Sequence, residues 1–314
     1  MLPMMGWLIA DVGGTNTRCA VALPGGVLER VETFRNRDYP GLGELLGAYL
    51  GLLPPDRRPA EAILAIAAPI RGDEIRMVNI NWTISVAELG RRLHLARVTP
   101  LNDFAAQAYA LPVLGPADLV GVGGGKAVDG APKVVVGPGT GLGVAGLVRV
   151  GGRWHAVTGE GGHVTMAPST EREARLIAIG RERFGHCSAE RLISGAGLAF
   201  IHHALNGGPE LAPDAVGALV AAGDPGATDA LEVFFELLAT VASNLALTFA
   251  AFGGVYIGGG VTPRYLRQFQ ASGFRQRFED KGRYRGFLAD IPTAVIVADQ
   301  PALRGLAAYA ESGA

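Results

Sequence analysis

Residues 8–18 read LIADVGGTNTR. A strand-like apolar run, Leu8, Ile9, Ala10 and Val12, carries a single acid, Asp11, and stops in Gly13 and Gly14; Thr15, Asn16 and Thr17 then lead to Arg18. The turn is too short for a helix, and the CAVAL that follows reads as a second strand, so the stretch predicts a hairpin. The plan recurs. Residues 133–148, KVVVGPGTGLGVAGLV, again give strand, Gly/Thr turn and strand, and residues 255–262, VYIGGGVT, end a strand in three glycines. Any one such turn reads most simply as a tight hairpin using glycine's freedom at positive φ. Three spread over one chain point to phosphate binding, because backbone N–H groups reach phosphate oxygens where no Cβ intervenes, and Thr and Asn add short donors.

Two better-known phosphate loops do not fit. The dinucleotide motif needs a helix after its glycines and an acid about 20 residues on, whereas Gly139–Gly143 is followed by another strand, VAGLVRV. The GxxxxGK[ST] signature is absent from the sequence. What remains is a nucleotide clasp of paired hairpins.

The rest of the chain alternates strand and helix signals. Residues 63–68 and 97–101 read as short buried strands. Residues 85–95, SVAELGRRLHL, read as a helix capped by Ser85 with Glu88 three residues later, residues 104–110 as another, and residues 230–252 as a long apolar helix for the interior or a partner subunit. The alternation predicts α/β architecture. Residues 115–132, rich in Gly, Pro and Asp, read as a linker. This gives a small N-terminal α/β domain over 1–113, completed by the C-terminal segment 302–314, and a large α/β domain over 114–301.

Composition narrows the function classes. With 49% apolar and 18% charged residues the chain is a folded protein, and a formal net charge of -1 offers no general field for nucleic acid or an anionic membrane. Cys19 and Cys187 stand far apart, which suits neither a disulfide framework nor a zinc knuckle; both are expected to be reduced and buried. MLPMMGWLIA has no basic leader and no uninterrupted apolar run reaches membrane length, so a cytoplasmic protein is expected.

Seven segments in order resemble the bacterial glucokinases of the hexokinase and actin-like ATPase superfamily: ADVGGTNTR, APIRGDEIRMVNINW, LNDFAAQAYAL, VGPGTGLGVAGL, GEGGHVTMAP, ERLISGAGL and VYIGGGVTP. The resemblance implies a two-domain actin-like ATPase (ribonuclease H-like) fold with an active-site cleft between the domains, ATP with Mg2+ as cofactor, glucose as acceptor and a homodimer. It assigns Ala10, Asp11, Val12, Gly13, Gly14, Thr15 and Asn16 to the first phosphate loop, Gly139, Thr140 and Gly141 to the second, and Gly259 to the adenosine side. Asp11 would orient Mg2+ through bound water, since magnesium keeps several waters and takes few protein ligands.

A hexose is a ring of donors and acceptors, so its receptor needs carboxylates, amides and imidazoles around it. The chain offers Asn102 and Asp103 in LND, Glu160 and His163 in GEGGH, and Glu190 in AERLISG, and by resemblance these five contact the sugar. Each has a plainer reading. Asp103 fits a helix N-cap before FAAQAYAL, Glu190 with Arg191 fits a solvated charge pair, and His163 fits a core histidine or a metal ligand. In the related repressor, open-reading-frame and kinase (ROK) family a comparable histidine binds structural zinc with a downstream cysteine cluster. No cluster follows here, and four ligands are the rule, so His163 is assigned to the sugar and no zinc is expected. Asp103 is the expected general base, taking the proton of the primary hydroxyl as that oxygen attacks the γ-phosphorus.

Two rival classes are set aside on sequence. A sugar-responsive repressor of the ROK group would carry a DNA-binding helical module before the first loop, where only residues 1–7 stand. A filament-type ATPase would not need the LND, GEGGH and ERL set. Mannose, glucosamine and fructose remain as alternative acceptors.

Overall fold

A computed structural model describes residues 6–77 and 79–312; residues 313 and 314 of the expected completing segment lie outside them. The chain divides into two compact units, one formed by 1–115, 150–158 and 298–314, the other by 116–149 and 159–297. The strand Arg153–Thr158, expected in the second domain, groups with the first unit, where the Ala156 N–H donates to the Tyr109 hydroxyl at 3.2 Å.

The first unit is built on a five-stranded sheet. Trp7–Val12 lies at its centre, with Asn16–Leu23 and then Val27–Arg35 antiparallel on one side, and Glu61–Ile66 and then Arg97–Asn102 parallel on the other. The strand period of two separates the faces. Leu8, Ala10 and Val12 pack with Leu42, Leu45, Leu46 and Tyr49 of the helix Leu42–Gly51, whereas Ile9 packs with Ile63, Ala65, Ala106, Leu303 and Leu306 beneath the helices Asp103–Ala110 and Pro301–Ser312. Those last two helices touch backbone to backbone: a Cβ on Gly305 would fall 1.7 Å from the Ala106 carbonyl oxygen. The helix that begins at Asp103 is thereby fixed against the sheet. Ser85 caps Val86–Leu93 as expected, its hydroxyl accepting from the Glu88 N–H at 3.2 Å.

In the second unit Leu142–Val150 pairs antiparallel with Lys133–Pro138, which runs parallel to Val255–Ile257, itself parallel to Thr293–Ile296. The far edge is Leu119–Gly123, antiparallel to Thr293–Ile296. This corrects the linker reading of 115–132. That stretch supplies an edge strand, and its glycines mark a twisted, irregular end of the ladder, Gly123 lying at φ +131° beside a register shift.

The long apolar helix runs over Pro225–Phe249, starting earlier than expected because Asp224 caps it through the Ala227 N–H at 2.8 Å with Pro225 in its first turn, and stopping earlier at Ala250 in the left-handed region. Its mean hydropathy of 1.6 would suit a membrane span, but 72% of the apolar window is buried inside the protein, so it is the core helix of this unit. Both cysteines are free and buried.

Candidate active site

Three parallel strands of the first unit end in one row: Val12 is registered with Ile66, and Ile66 with Asn102. The residues that follow, Gly13 and Asp103 among them, leave the sheet at its carboxyl edge, where open α/β sheets bind ligands. The hairpin turn closes through the Gly13 N–H to the Asn16 carbonyl at 3.1 Å. Neither Gly13 nor Gly14 lies at positive φ; a Cβ on Gly13 would be tight, 3.2 Å from the Asn16 carbonyl, while Gly14 has room for one. A Cβ on Gly14 would rest 3.4 Å from Asn79.

Asp11 faces Arg18 across the hairpin, carboxylate to guanidinium 3.5 Å. Burial pushes its carboxyl above the ordinary range and Arg18 draws it part of the way back. Beside the turn opens a cleft of about 730 Å³, lined by Gly14, Thr15, Asn16, Arg35, Arg37 and Trp82 among others. Backbone amides and two guanidinium groups suit an anionic ligand there.

The helix cap falls on a different residue from the one expected. Asn102, not Asp103, is the N-cap, its Oδ1 accepting from Phe104 at 3.0 Å and Ala105 at 3.3 Å. Asp103 is the first helical residue, its Oδ1 3.0 Å from the Phe104 N–H. A carboxylate there sits favourably at the positive end of the helix.

The second unit gathers the GEGGH and ERL residues around its own hairpin. His163 follows Glu160 on one short 3-10 turn, and its Nε2 lies 4.0 Å from Glu160 Oε2 while its Nδ1 lies 3.9 Å from Glu190 Oε1. The imidazole is 57% exposed, so it is no core histidine. Glu190 does not pair with Arg191, whose guanidinium stacks on Phe184 at 4.5 Å. Instead its Oε2 accepts the Leu142 N–H at 2.9 Å, directly after Gly139, Thr140 and Gly141.

The motif glycines are what let these segments meet. A Cβ on Gly141 would lie 2.4 Å from Glu190 Oε2, one on Gly162 would lie 2.1 Å from the Leu142 carbonyl, and one on Gly259, itself at φ +72°, would lie 2.3 Å from the Pro138 carbonyl. The Gly195 N–H donates to the Gly139 carbonyl at 2.9 Å. Three stretches distant in sequence thus converge on one turn that presents amides beside two carboxylates and an imidazole. Such a set can order a phosphate and a polyhydroxyl ligand.

Within their units, then, the expected residues are brought together: Asp11 and the first loop share a sheet edge with Asn102 and Asp103, and Glu160, His163 and Glu190 cluster at the second loop. Asn36 and the cleft residues Arg35 and Arg37 were not anticipated, and Trp82 stood in the resemblance segment APIRGDEIRMVNINW without a role of its own. Asn-Arg-Asp after a strand reads only as turn chemistry.

A family model described as glucokinase matches residues 8–313. A glucokinase of Aromatoleum aromaticum is 48% identical over 307 residues, covering 96% of this chain and 93% of that one. A glucokinase of Chromobacterium violaceum is 47% identical over 308 residues, covering 96% and 88%. The crystal structure of a glucokinase from an Antarctic psychrotroph superposes with a TM-score of 0.88 at 33% identity, covering 97% of this chain and 98% of that one.

Proposed function

We propose that this chain, which belongs to the glucokinase family and has the two-domain actin-like ATPase fold, works through the residues gathered at its two glycine turns. It is an ATP-dependent kinase that transfers the γ-phosphoryl group to the 6-hydroxyl of D-glucose, giving glucose 6-phosphate and ADP. One observation carries the site reading: Glu190 joins a carboxylate and imidazole cluster to the amide after a glycine turn, the two halves of a site for a sugar and a phosphate.

In this reading Gly13, Gly14, Thr15 and Asn16, flanked by Ala10 and Val12, hold phosphate from the first unit; Gly139, Thr140 and Gly141 hold it from the second, with Gly259 toward the adenosine. Asn102, Asp103, Glu160, His163 and Glu190 bind the sugar hydroxyls. Asp103 accepts the 6-hydroxyl proton as that oxygen bonds to the γ-phosphorus and the bond to the leaving ADP oxygen breaks; catalysis is otherwise alignment and charge stabilisation. Asp11 suits a hydrated Mg2+, being one carboxylate beside a phosphate turn, where the ion is held largely through its own waters. When bound, that ion neutralises phosphate charge. His163 is given to the sugar, not to zinc.

A coupled assay of ATP against a panel of hexoses tests the assignment. Turnover that needs hexose and favours glucose is expected. ATP hydrolysis indifferent to sugar would return the chain to the non-sugar ATPases, and preference for mannose, glucosamine or fructose would change the acceptor alone. A cytoplasmic homodimer is proposed on the resemblance, and sedimentation velocity checks the dimer.

A further inference from the structure

The first phosphate turn is held from outside by one buried side chain with no place in any motif. Asn36 opens the short 3-10 turn Asn36–Asp38 that follows Val27–Arg35, and it is 3% exposed. Its Nδ2 donates to the Gly13 carbonyl at 2.8 Å, its Oδ1 accepts from the Thr17 hydroxyl at 2.8 Å, and its backbone N–H donates to the Thr15 carbonyl at 2.9 Å. Thr17 is wholly buried.

The three bonds land on the two ends and the middle of the turn. They occupy the carbonyls of Gly13 and Thr15, while the Asn16 carbonyl is taken by Gly13 itself at 3.1 Å. Among the described residues no hydrogen bond engages the Gly14 or Thr15 N–H. Asn36 therefore uses up acceptors on the turn and leaves donors, which is the polarity an anion requires. The short polar side chain also faces two groups of opposite kind: its amide nitrogen meets a carbonyl and its oxygen meets a hydroxyl. Aspartate would set a carboxylate oxygen against the Gly13 carbonyl, and no apolar residue could replace either bond without leaving a buried polar group unpaired.

We infer that Asn36 is a positioning residue for the nucleotide: through its bonds to Gly13, Thr15 and Thr17 it holds the turn Gly13–Asn16 in the shape that receives ATP phosphate. The inference rests on the phosphate reading of that turn. A role confined to stability would lower the folded fraction and affect both substrates alike. A positioning role separates them.

The test measures KM for MgATP, KM for glucose and Tm in Asn36→Ala, Asn36→Asp, Thr17→Val and Thr17→Ser. Asn36→Ala should raise KM for MgATP about fivefold to tenfold, the scale of one or two buried hydrogen bonds, with KM for glucose changed less than about twofold. Asn36→Asp should be no better than Asn36→Ala, and Thr17→Ser, which keeps the hydroxyl, should restore the parent value that Thr17→Val loses. If Asn36→Ala yields no folded protein, the Thr17 pair carries the same test, because it removes and restores the hydroxyl that Asn36 receives. An unchanged KM for MgATP, or equal rises for both substrates, overturns the inference. Thr15→Val runs beside these: if it also leaves MgATP untouched, the phosphate reading of the turn falls and the positioning role with it; if it raises KM for MgATP while Asn36→Ala does not, the positioning role alone falls.

Discussion

The two hairpins share a plan and differ in charge at the register position next to the last pair. In the first, the pair next to the last is Asp11 opposite Arg18; in the second it is Gly137 opposite Gly143. One hairpin carries a charge pair where the other carries no side chain at all. Their bracing differs in the same sense. The first turn is held by polar bonds from Asn36, nearby in sequence, while the second is pressed by segments from far along the chain whose glycines permit contact with its backbone. The difference teaches that a duplicated turn need not duplicate its chemistry: in the proposed reading the first unit brings charge to the phosphate, and the second brings closeness and the sugar cluster.

The largest expected effect follows from that division. If proton transfer belongs to the first unit, Asp103→Asn should lower kcat by at least about 10²-fold while KM for glucose moves little. Glu160→Gln in the second unit should instead raise KM for glucose and spare KM for ATP. Steady-state kinetics on the pair checks both, and the comparison breaks if the two variants lose the same parameter.

Next in size is Gly141→Ala. Its Cβ would fall 2.4 Å from Glu190 Oε2, so Glu190 must swing away and surrender its bond to the Leu142 N–H, and with it the distance to His163. We expect KM for glucose to rise about tenfold, the scale of a lost charged hydrogen bond, with a smaller rise for ATP. Unchanged glucose kinetics would show that Glu190 does not serve the sugar. A third variant addresses the charge pair: Asp11→Asn should raise the Mg2+ concentration for half-maximal rate by about tenfold or more, as loss of an outer-sphere partner does, in a titration at saturating ATP and glucose. No shift would leave the first hairpin as plain as the second.

Much of this was legible in the sequence, and the gaps have physical causes. Both hairpins followed from strand alternation around glycine turns, and the core helix from an apolar run. The edge strand Leu119–Gly123 was missed because its partner, Thr293–Ile296, lies some 170 residues away and its own glycines resemble a linker. The cap was misplaced by one residue because Asn102 and Asp103 are both competent caps, and only backbone geometry chooses. Asn36 gave no signal, a single buried asparagine in turn-like sequence. The plain reading of the glycines as positive-φ turn residues does not apply to Gly13, Gly14, Gly139 and Gly141, which lie outside that region; of the four, Gly141 is the one a Cβ would press hardest, 2.4 Å from Glu190 Oε2.

Gly139 gives the smallest effect and the finest test of that last point. Unlike Gly141, two residues on, it has no protein atom within 4 Å of the place a Cβ would take. Its backbone needs are met whatever its side chain, the N–H donating to Gly141 at 2.8 Å and the carbonyl accepting from Gly195 at 2.9 Å, and its φ is not one that side chains avoid. The protein therefore does not require glycine here, and Gly139→Ala should leave Tm within about 1 °C, as an uncrowded substitution does. If phosphate closes on the turn, the methyl group meets the ligand instead, and KM for ATP should rise a few-fold, roughly threefold, against an unchanged KM for glucose. A variant with parent kinetics for ATP would mean that no phosphate approaches Gly139, and the second hairpin would then serve the sugar cluster alone.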